Sequence, residues 1–412
     1  LSKIQFMKLI NPTENLYQIT ERYPQTIEVF VKNGFQQMAD KQKRETLGKS
    51  LRLDIALTMK GIDLQVFVTL LEEAVLKGDT RVQQVENKPI SLKGLLPCPV
   101  RLPLQEALNT FLEKEDQKQE VNAELKAASM GLDWLKDDIS NAASVQDLDD
   151  IYISAGFDLF FEDDYFGRFI KTGNLADPLP WKEVNPDFDN AMLQLKDPDS
   201  RYGIIAVVPA IFLVNQHELN GRNVPQSWND LLSDEWLNSI SLPVSDFDLF
   251  NAILLTVKNI YGMEGVAALG RNMQQSLHPA QMIKSDRTKT QKPAVTIMPY
   301  FFTKMAKAGG PMRAVWPNDG AIISPIFAVG KVSKKAESAQ LAAFLGGEQL
   351  ASILSHQGLF PSLHPEIDNA IPKENKFMWL GWDYINSHNL NQEFEACTQV
   401  FEEAFQSKKS LV

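Results

Sequence analysis

The chain has 412 residues, a formal net charge of −11, and 44% hydrophobic and 9% aromatic residues. That length exceeds one ordinary core and suits two or three compact units, and the composition excludes a disordered or fibrous chain. Residues 1–80 hold 11 Lys/Arg against 10 Asp/Glu, so the acid surplus lies beyond them; a surface of that sign repels phosphate backbones and argues against nucleic acid as a partner.

Residues 7–80 read as a small all-α domain. Pro24 suits a first helical turn, Ile27, Phe30 and Val31 share one face, and Gly34 can end the helix in the left-handed region. Asp40 can cap a short helix running to Leu47. Leu53, Ala56 and Leu57 form a further stripe closed by Gly61. Asp63 then caps a helix in which Leu64, Phe67, Val68, Leu71 and Val75 face one way before Gly78. Such short helices must bury their stripes against one another. Residues 81–93 are polar and aperiodic, which predicts a linker.

From residue 94 strands and helices alternate. Leu95–Val100, Val121–Ala128 and Ile151–Ala155 read as strands, with helices over Leu102–Glu113, Leu132–Ile139 and near Phe166–Lys171. Three strand–helix units in a row predict an α/β sheet with parallel strands. Ile204–Asn215 is a long apolar run, as a buried strand requires. A second set follows: a helix at Asn229–Leu232, a strand at Ile240–Leu242, and helices at Asp248–Ile260 and Glu264–Met273 separated by Gly262. Ala294–Met298 and Ile322–Val329 are strands, with helices at Phe301–Ala308, Ala336–Leu345, Gln349–His356 and Asn391–Phe405. Two α/β sets in tandem predict two lobes with a cleft between them and hinge closure around a ligand.

Cys98 and Cys397 are the only cysteines, almost three hundred positions apart, and read as two separate buried thiols. None of the five histidines pairs at i, i+4, and no nucleophile elbow, phosphate loop or dinucleotide fingerprint occurs. No apolar run approaches the roughly 20 residues of a membrane span. Met7-Lys8 reads as a natural start, which predicts a cytoplasmic protein. A signal peptide removed ahead of this sequence would instead make it periplasmic or extracellular.

Tyr202–Asn215, followed by Val224-Pro-Gln-Ser-Trp-Asn-Asp-Leu-Leu232, resembles the crossing strand and the P-x-S-W-x-D-L stretch of type 2 periplasmic binding proteins, iron(III)- and polyamine-like branch. Tyr261-Gly-Met-Glu-Gly265, Trp316-Pro-Asn-Asp-Gly-Ala321, Gly346-Gly-Glu-Gln349 and Gln357-Gly-Leu-Phe-Pro361 resemble later segments of the same family, in the same order. The resemblance implies a two-lobed fold, with residues 94–205 and 316–345 in lobe I and residues 206–315 and 346–412 in lobe II. It implies a solute-binding protein of an ABC transporter that closes on a small polar or anionic ligand, with no cofactor and no catalysis. A ferric-ion or metal-chelate carrier, or an enzyme on the same lobes, are the alternatives. Iron-type relatives use paired tyrosines, and no adjacent Tyr pair follows Trp181 here. Ile19–Pro24 and Val31–Phe35 resemble a small helical domain of unknown function from anaerobic bacteria. Some of its members carry a Cys pair where Gln36-Gln37-Met38 stands here, so no metal or redox role follows. The partners implied are a membrane permease, or a cytoplasmic protein meeting the helical domain.

In that fold the loops after strands line the cleft. Cys98, Pro99 and Arg101 follow the first strand; a helix N-terminus and a guanidinium there suit an anion. Met130-Gly131 and Ala155-Gly156 follow the second and third strands, where small residues let backbone approach a ligand. Ser245 and Asp246 precede a helix of lobe II, where either Asp246 or Asp248 can serve as an N-cap. Tyr300 ends a strand with its hydroxyl available, and Asp319, where the chain returns to lobe I, can hold a ligand amine or fix the hinge.

Overall fold

A computed structural model describes residues 10–60, 62, 64–78, 90–113, 120–127, 132–190, 193–244, 247–276, 292–306 and 309–407. The chain divides into two compact units, the first built on the N-terminal 84 residues and the second on most of the remainder.

The first unit is helical. Its longer helices are α1 (Leu16–Arg22), α2 (Thr26–Lys32), α3 (Leu53–Met59) and α4 (Leu64–Gly78). Asn15 and Gln18 form a capping box at α1, Gly34 takes φ +87° after α2, and the Asp40 carboxylate accepts from the Lys43 N–H at 3.1 Å. Phe30, Phe35 and Phe67 make a ring triad with centroids 5.3 to 5.8 Å apart. Leu16, Ile19, Leu53, Leu57 and Leu71 close the core around them. The expected caps at Gly61 and Asp63 lie outside the described residues.

The second unit begins with β1 (Ile90–Leu96), α5 (Cys98–Leu112), β2 (Val121–Ala127), α6 (Asp133–Asn141), β3 (Ile151–Ala155), α7 (Phe157–Phe161) and α8 (Gly167–Lys171). Two expectations need correction here. The strand starts at Ile90, inside the stretch read as linker, and the helix starts at Cys98, where the strand was expected to continue. Proline fits the first turn of a helix, whose N–H groups have no intrahelical partner, so Pro99 opens α5. The unit continues with β4 (Gly203–Asn215), α9 (Trp228–Leu231), β5 (Ile240–Leu242), α10 (Phe247–Asn272), β6 (Met273–Ser276), β7 (Val295–Pro299), β8 (Met312–Val315) and β9 (Ala321–Lys331). It ends with α11 (Ala339–Leu345), α12 (Glu348–Ser352) running into a π-helical turn over Ile353–Gln357, β10 (Phe377–Met378), α13 (Trp382–Ser387) and α14 (Leu390–Ser407). The expected helix at 301–308 is a 3-10 turn over Tyr300–Met305.

The strands follow the order β2-β1-β3-β9-β4-β7-β5-β6, with β8 pairing β4 and β10 pairing β9. β1 runs parallel to β3, and β5 runs parallel to both β7 and β6. The registers resolve this path into two sheets joined by one ribbon. β9 lies antiparallel to β4 from Ile322↔Ala210 to Ala328↔Gly203, and β8 continues along the same edge from Val315↔Phe212 to Met312↔Asn215. The lobe I sheet joins this ribbon on the β9 side, through Ile326↔Ala155 to Gly330↔Ile151. The lobe II sheet joins on the β4 side, through Pro299↔Ala210 to Val295↔Val214. The fold is the two-lobed type 2 binding-protein fold, with β4 and β9 as the crossing strands.

The cores follow that division on one face. Ile90, Leu92, Leu96, Val100, Leu104 and Leu108 pack with Leu341, Leu350, Leu354 and Phe360. The helices over 348–357 therefore sit on lobe I, although residues 346–412 were expected with lobe II. Only long-range packing decides that, and periodicity does not report it. On the other face a single large cluster carries α10 and α14, with Phe250 and Phe401 in edge contact at 5.2 Å and Cys397 fully buried. Asp248–Asn272 is long and apolar enough to cross a membrane by length and composition, contrary to the sequence expectation. Its side chains Ile253, Leu254, Val257, Val266 and Leu269 lie in this core, and Gly262 (φ 70°, ψ −175°) breaks it into two helices.

α14 is also held by a polar clamp. The Lys258 ammonium of α10 pairs with Glu393 and donates to the Tyr384 hydroxyl at 2.8 Å, and that hydroxyl donates to Glu393 at 3.1 Å. The hydrogen bond from Lys258 holds the Glu393 carboxyl below its ordinary value. Burial alone would lower Lys258, but its bonds to Glu393 and Tyr384 outweigh burial and raise it. A depressed carboxyl contributes stability above its unfolded pKa and loses it as pH falls through the folded value. The clamp is partly exposed, so its worth is about 1 kcal/mol at most. Lys258→Met is expected to be less stable than the parent at neutral pH and to lose less on acidification. Urea melts at neutral and acid pH measure this, and equal acid sensitivity in both proteins would refute it.

Candidate functional site

The ribbon places the site. Backbone groups of alternate residues in a strand point to the same edge. On β4 the outer edge is marked by Val207 N–H donating to Pro361 C=O, Leu363 N–H donating to Ile205 C=O, and Asn215 N–H donating to Ala294 C=O. On β9 it is marked by Ala321 N–H donating to Lys376 C=O and Lys331 N–H donating to Asp150 C=O. Pro209 and Pro325 have the same parity as these residues, so each sets a nitrogen without hydrogen on an outer edge. Both stand where the sheets stop. β3 ends opposite Ile326 and β10 opposite Ile322 on the β9 edge, while the 361–363 segment ends at Val207 and β7 at Ala210 on the β4 edge. Between those ends Ile323–Pro325 and Val208–Pro209 pair with each other across the ribbon but carry no ladder partner on their outer edges among the described residues. Opposite each other in that bare stretch are Val208, which is half-buried, and Ser324, which is buried and whose hydroxyl has no hydrogen-bond partner.

Several sequence candidates gather around it. Ala155 ends β3 at the ribbon, and Gly156 turns the chain with φ +133°. A Cβ at Gly156 would lie 3.0 Å from Asp248 Oδ1, so the loop closing β3 in lobe I meets the start of α10 in lobe II. Tyr300 follows β7 on the opposite edge of the ribbon, half-buried, with its ring in edge contact with Trp316 at 5.2 Å.

Other candidates are placed differently. Arg101 was expected in a loop before a helix but lies in the second turn of α5. It is 8% exposed, and Nη1 donates to Leu125 C=O at 3.4 Å and to Gln105 Oε1 at 3.5 Å. Asp319 belongs to the turn between β8 and β9. Its Oδ2 accepts from the Trp228 N–H at 2.8 Å and from the Tyr261 hydroxyl at 3.0 Å. Burial pushes the Asp319 carboxyl up, against the lowering effect of those bonds. The Trp228 indole N–H donates to Gly320 C=O at 2.9 Å, and Asn318 N–H donates to Gln226 C=O at 2.7 Å. Asp319 thus ties the turn to α9. Cys98 and Pro99 lie in the first turn of α5, with the Cys98 side chain outside the description. Met130, Gly131, Ser245 and Asp246 fall outside the described residues.

The sequence reading missed Asp248 as a partner of the Gly156 loop, Ser324, and the Phe301–Phe360 contact across the lobes. For the last two the signal was present in outline: a lone hydroxyl inside an apolar crossing strand, and an aromatic run, Tyr300-Phe301-Phe302, at a strand's end.

Two lobes hung on a two-stranded crossing, with strand ends meeting beside the bare stretch, define the class of two-lobed ligand-binding proteins. Residues 146–388, more than half of the chain, match the family model of the bacterial extracellular solute-binding proteins, and the chain belongs to that family. It is a solute-binding protein of the ABC-transporter type. Residues 10–68 match a domain of unknown function, DUF1858. Solved structures agree in fold. The ferric binding protein from Campylobacter jejuni superposes with a TM-score of 0.52 at 14% identity, covering 76% of this chain and 99% of that one. The apo ferric ion-binding protein A of Pasteurella haemolytica gives 0.53 at 12%, covering 76% and 97%. The periplasmic binding protein AfuA of Actinobacillus pleuropneumoniae, solved with exogenous fructose-6-phosphate bound, gives 0.52 at 15%, covering 77% and 98%. These relatives are binding proteins. A comparison with curated proteins returns no match.

Proposed function

We propose that this protein captures one small polar or anionic solute beside the crossing ribbon and delivers it, lobes closed, to a membrane permease outside the cytoplasm. The observation that carries this reading is the bare stretch of ribbon on which the ends of β3 and β7 converge from opposite edges. Backbone at strand ends and helix starts offers hydrogen bonds to a compact polar guest without a large apolar pocket. The extracytoplasmic placement follows the family rather than the Met7 start.

The structural relatives divide between ferric ion and a sugar phosphate. A hard ferric ion needs a ring of oxygen donors, and no group of three or more His, Cys, Asp or Glu side chains that could hold a metal occurs among the described residues. The Tyr261 hydroxyl is spent on Asp319. The site is therefore better matched to an organic anion or polyol. Isothermal titration with hexose phosphates, free polyols and ferric citrate, alongside native mass spectrometry of the protein as purified, tests this. Saturable binding of a phosphorylated or hydroxylated small molecule is expected, and binding of ferric citrate alone would overturn it. Tyr300→Phe removes one hydroxyl from the convergence point and is expected to weaken that binding about tenfold, as loss of one hydrogen bond to a charged group does. An affinity equal to that of the parent would remove Tyr300 from the site.

A further inference from the structure

We propose that Phe301 and Lys304 form a latch that holds the two lobes together across the groove without help from a solute. Both residues stand in the 3-10 turn that follows β7, where that strand leaves the ribbon. The Phe301 ring lies nearly parallel to that of Phe360, with centroids 6.0 Å apart and 18° between the planes, and Phe360 is 3% exposed within the lobe I core. Phe302 turns the other way and packs with Leu213, Met298 and Met312 of lobe II. The two neighbouring rings, in edge contact at 5.3 Å, thus seat one in each lobe. Three residues on, the Lys304 ammonium donates to the carbonyls of His356 at 3.4 Å and Gln357 at 3.3 Å. Those carbonyls end the helical stretch that starts at Glu348, where backbone acceptors lack intrahelical donors and the helix carries partial negative charge. One apolar and one electrostatic contact therefore join the same turn of lobe II to the same corner of lobe I.

Lys304 is exposed, so the stack supplies most of the grip and the lysine its direction. The inference rests on the two-lobed reading but on no particular solute. A latch of this kind sets how much of the protein is closed before a solute arrives, and apparent affinity scales with that population.

Small-angle X-ray scattering of the full chain, exhaustively dialysed, compares the parent with Phe301→Ala/Lys304→Met. The latch predicts a larger radius of gyration for the double variant. It also predicts amide exchange about tenfold faster over 353–360, although neither substitution lies in that segment. Phe360→Leu, which keeps an apolar side chain on the lobe I side, should expand the protein in the same direction. Ile260→Ala, at an exposed site of α10, should leave it unchanged. If the double variant does not fold, Lys304→Met alone should show a smaller shift of the same sign. Scattering profiles that superimpose on the parent's for both latch variants would overturn the proposal. Failure of every solute to bind would count against the proposed function and leave this comparison intact.

Discussion

Trp228→Ala is expected to be among the most damaging single substitutions in the second unit, costing about 3–5 kcal/mol in chemical denaturation. Trp228 is fully buried, and its ring stands edge-on to Phe212 of β4 at 5.1 Å. Removing it leaves a cavity beside the crossing strand. It also orphans the Gly320 carbonyl that the indole N–H serves, adding the cost of an unsatisfied buried acceptor. The position matters beyond its volume, because Gly320 precedes β9 and has φ +124°, with its absent Cβ directed at the Phe377 backbone 2.8 Å away. Trp228→Phe separates the two contributions. It keeps most of the ring and loses the hydrogen bond, so it should cost about 1–3 kcal/mol. Equal losses for the Ala and Phe variants would show that the hydrogen bond, not the packing, holds the turn before β9 to α9.

Features written in local pattern were legible in the sequence. The apolar run Ile204–Asn215 read as a buried strand, and it is the crossing strand β4. Gly262 marked the break in α10 because its conformation excludes other residues. The capping signal at Asp40 is used as read. What the sequence hid was structure imposed from outside a segment. β6 follows α10 without a turn residue, and its Met-Gln-Gln-Ser has no strand signature; pairing with β5 makes it a strand. β8 is a strand because β4 offers it an edge. The start of α5 was misplaced because an apolar stretch, Leu95–Val100, spans a strand end and a helix start, and only Pro97 and Pro99 distinguish them. Site residues suffered from the same blindness. Arg101 was chosen for its place after a strand, and its guanidinium turns to the β2 carbonyl of Leu125. Asp319 was picked out by its place where the chain returns to lobe I, but its partners Trp228 and Tyr261 lie 91 and 58 positions away.

Gly156→Ala should weaken solute binding about 100-fold while leaving the protein folded. Gly156 has φ +133°, a region in which an alanine is strained by about 1–3 kcal/mol. Its new Cβ would also stand 3.0 Å from Asp248 Oδ1 and 3.5 Å from Leu132 Cδ1. The methyl group therefore wedges between the loop of lobe I and the first turn of α10 in lobe II. Backbone strain lowers stability, but the wedge acts on closure, where each 1.4 kcal/mol is tenfold in affinity. A loss of about 100-fold in affinity is expected, read by isothermal titration with whichever solute the parent binds. Gly173→Ala supplies the control. Gly173 also has positive φ, at +73°, yet nothing lies within 4 Å of its Cβ position. That variant should lose stability and keep its affinity. If both alanines reduced affinity alike, backbone strain alone would account for the effect, and the contact between the Gly156 loop and α10 would have no part in gripping the solute. If only Gly156→Ala did so, the approach of the two lobes at this point is the step that binding requires.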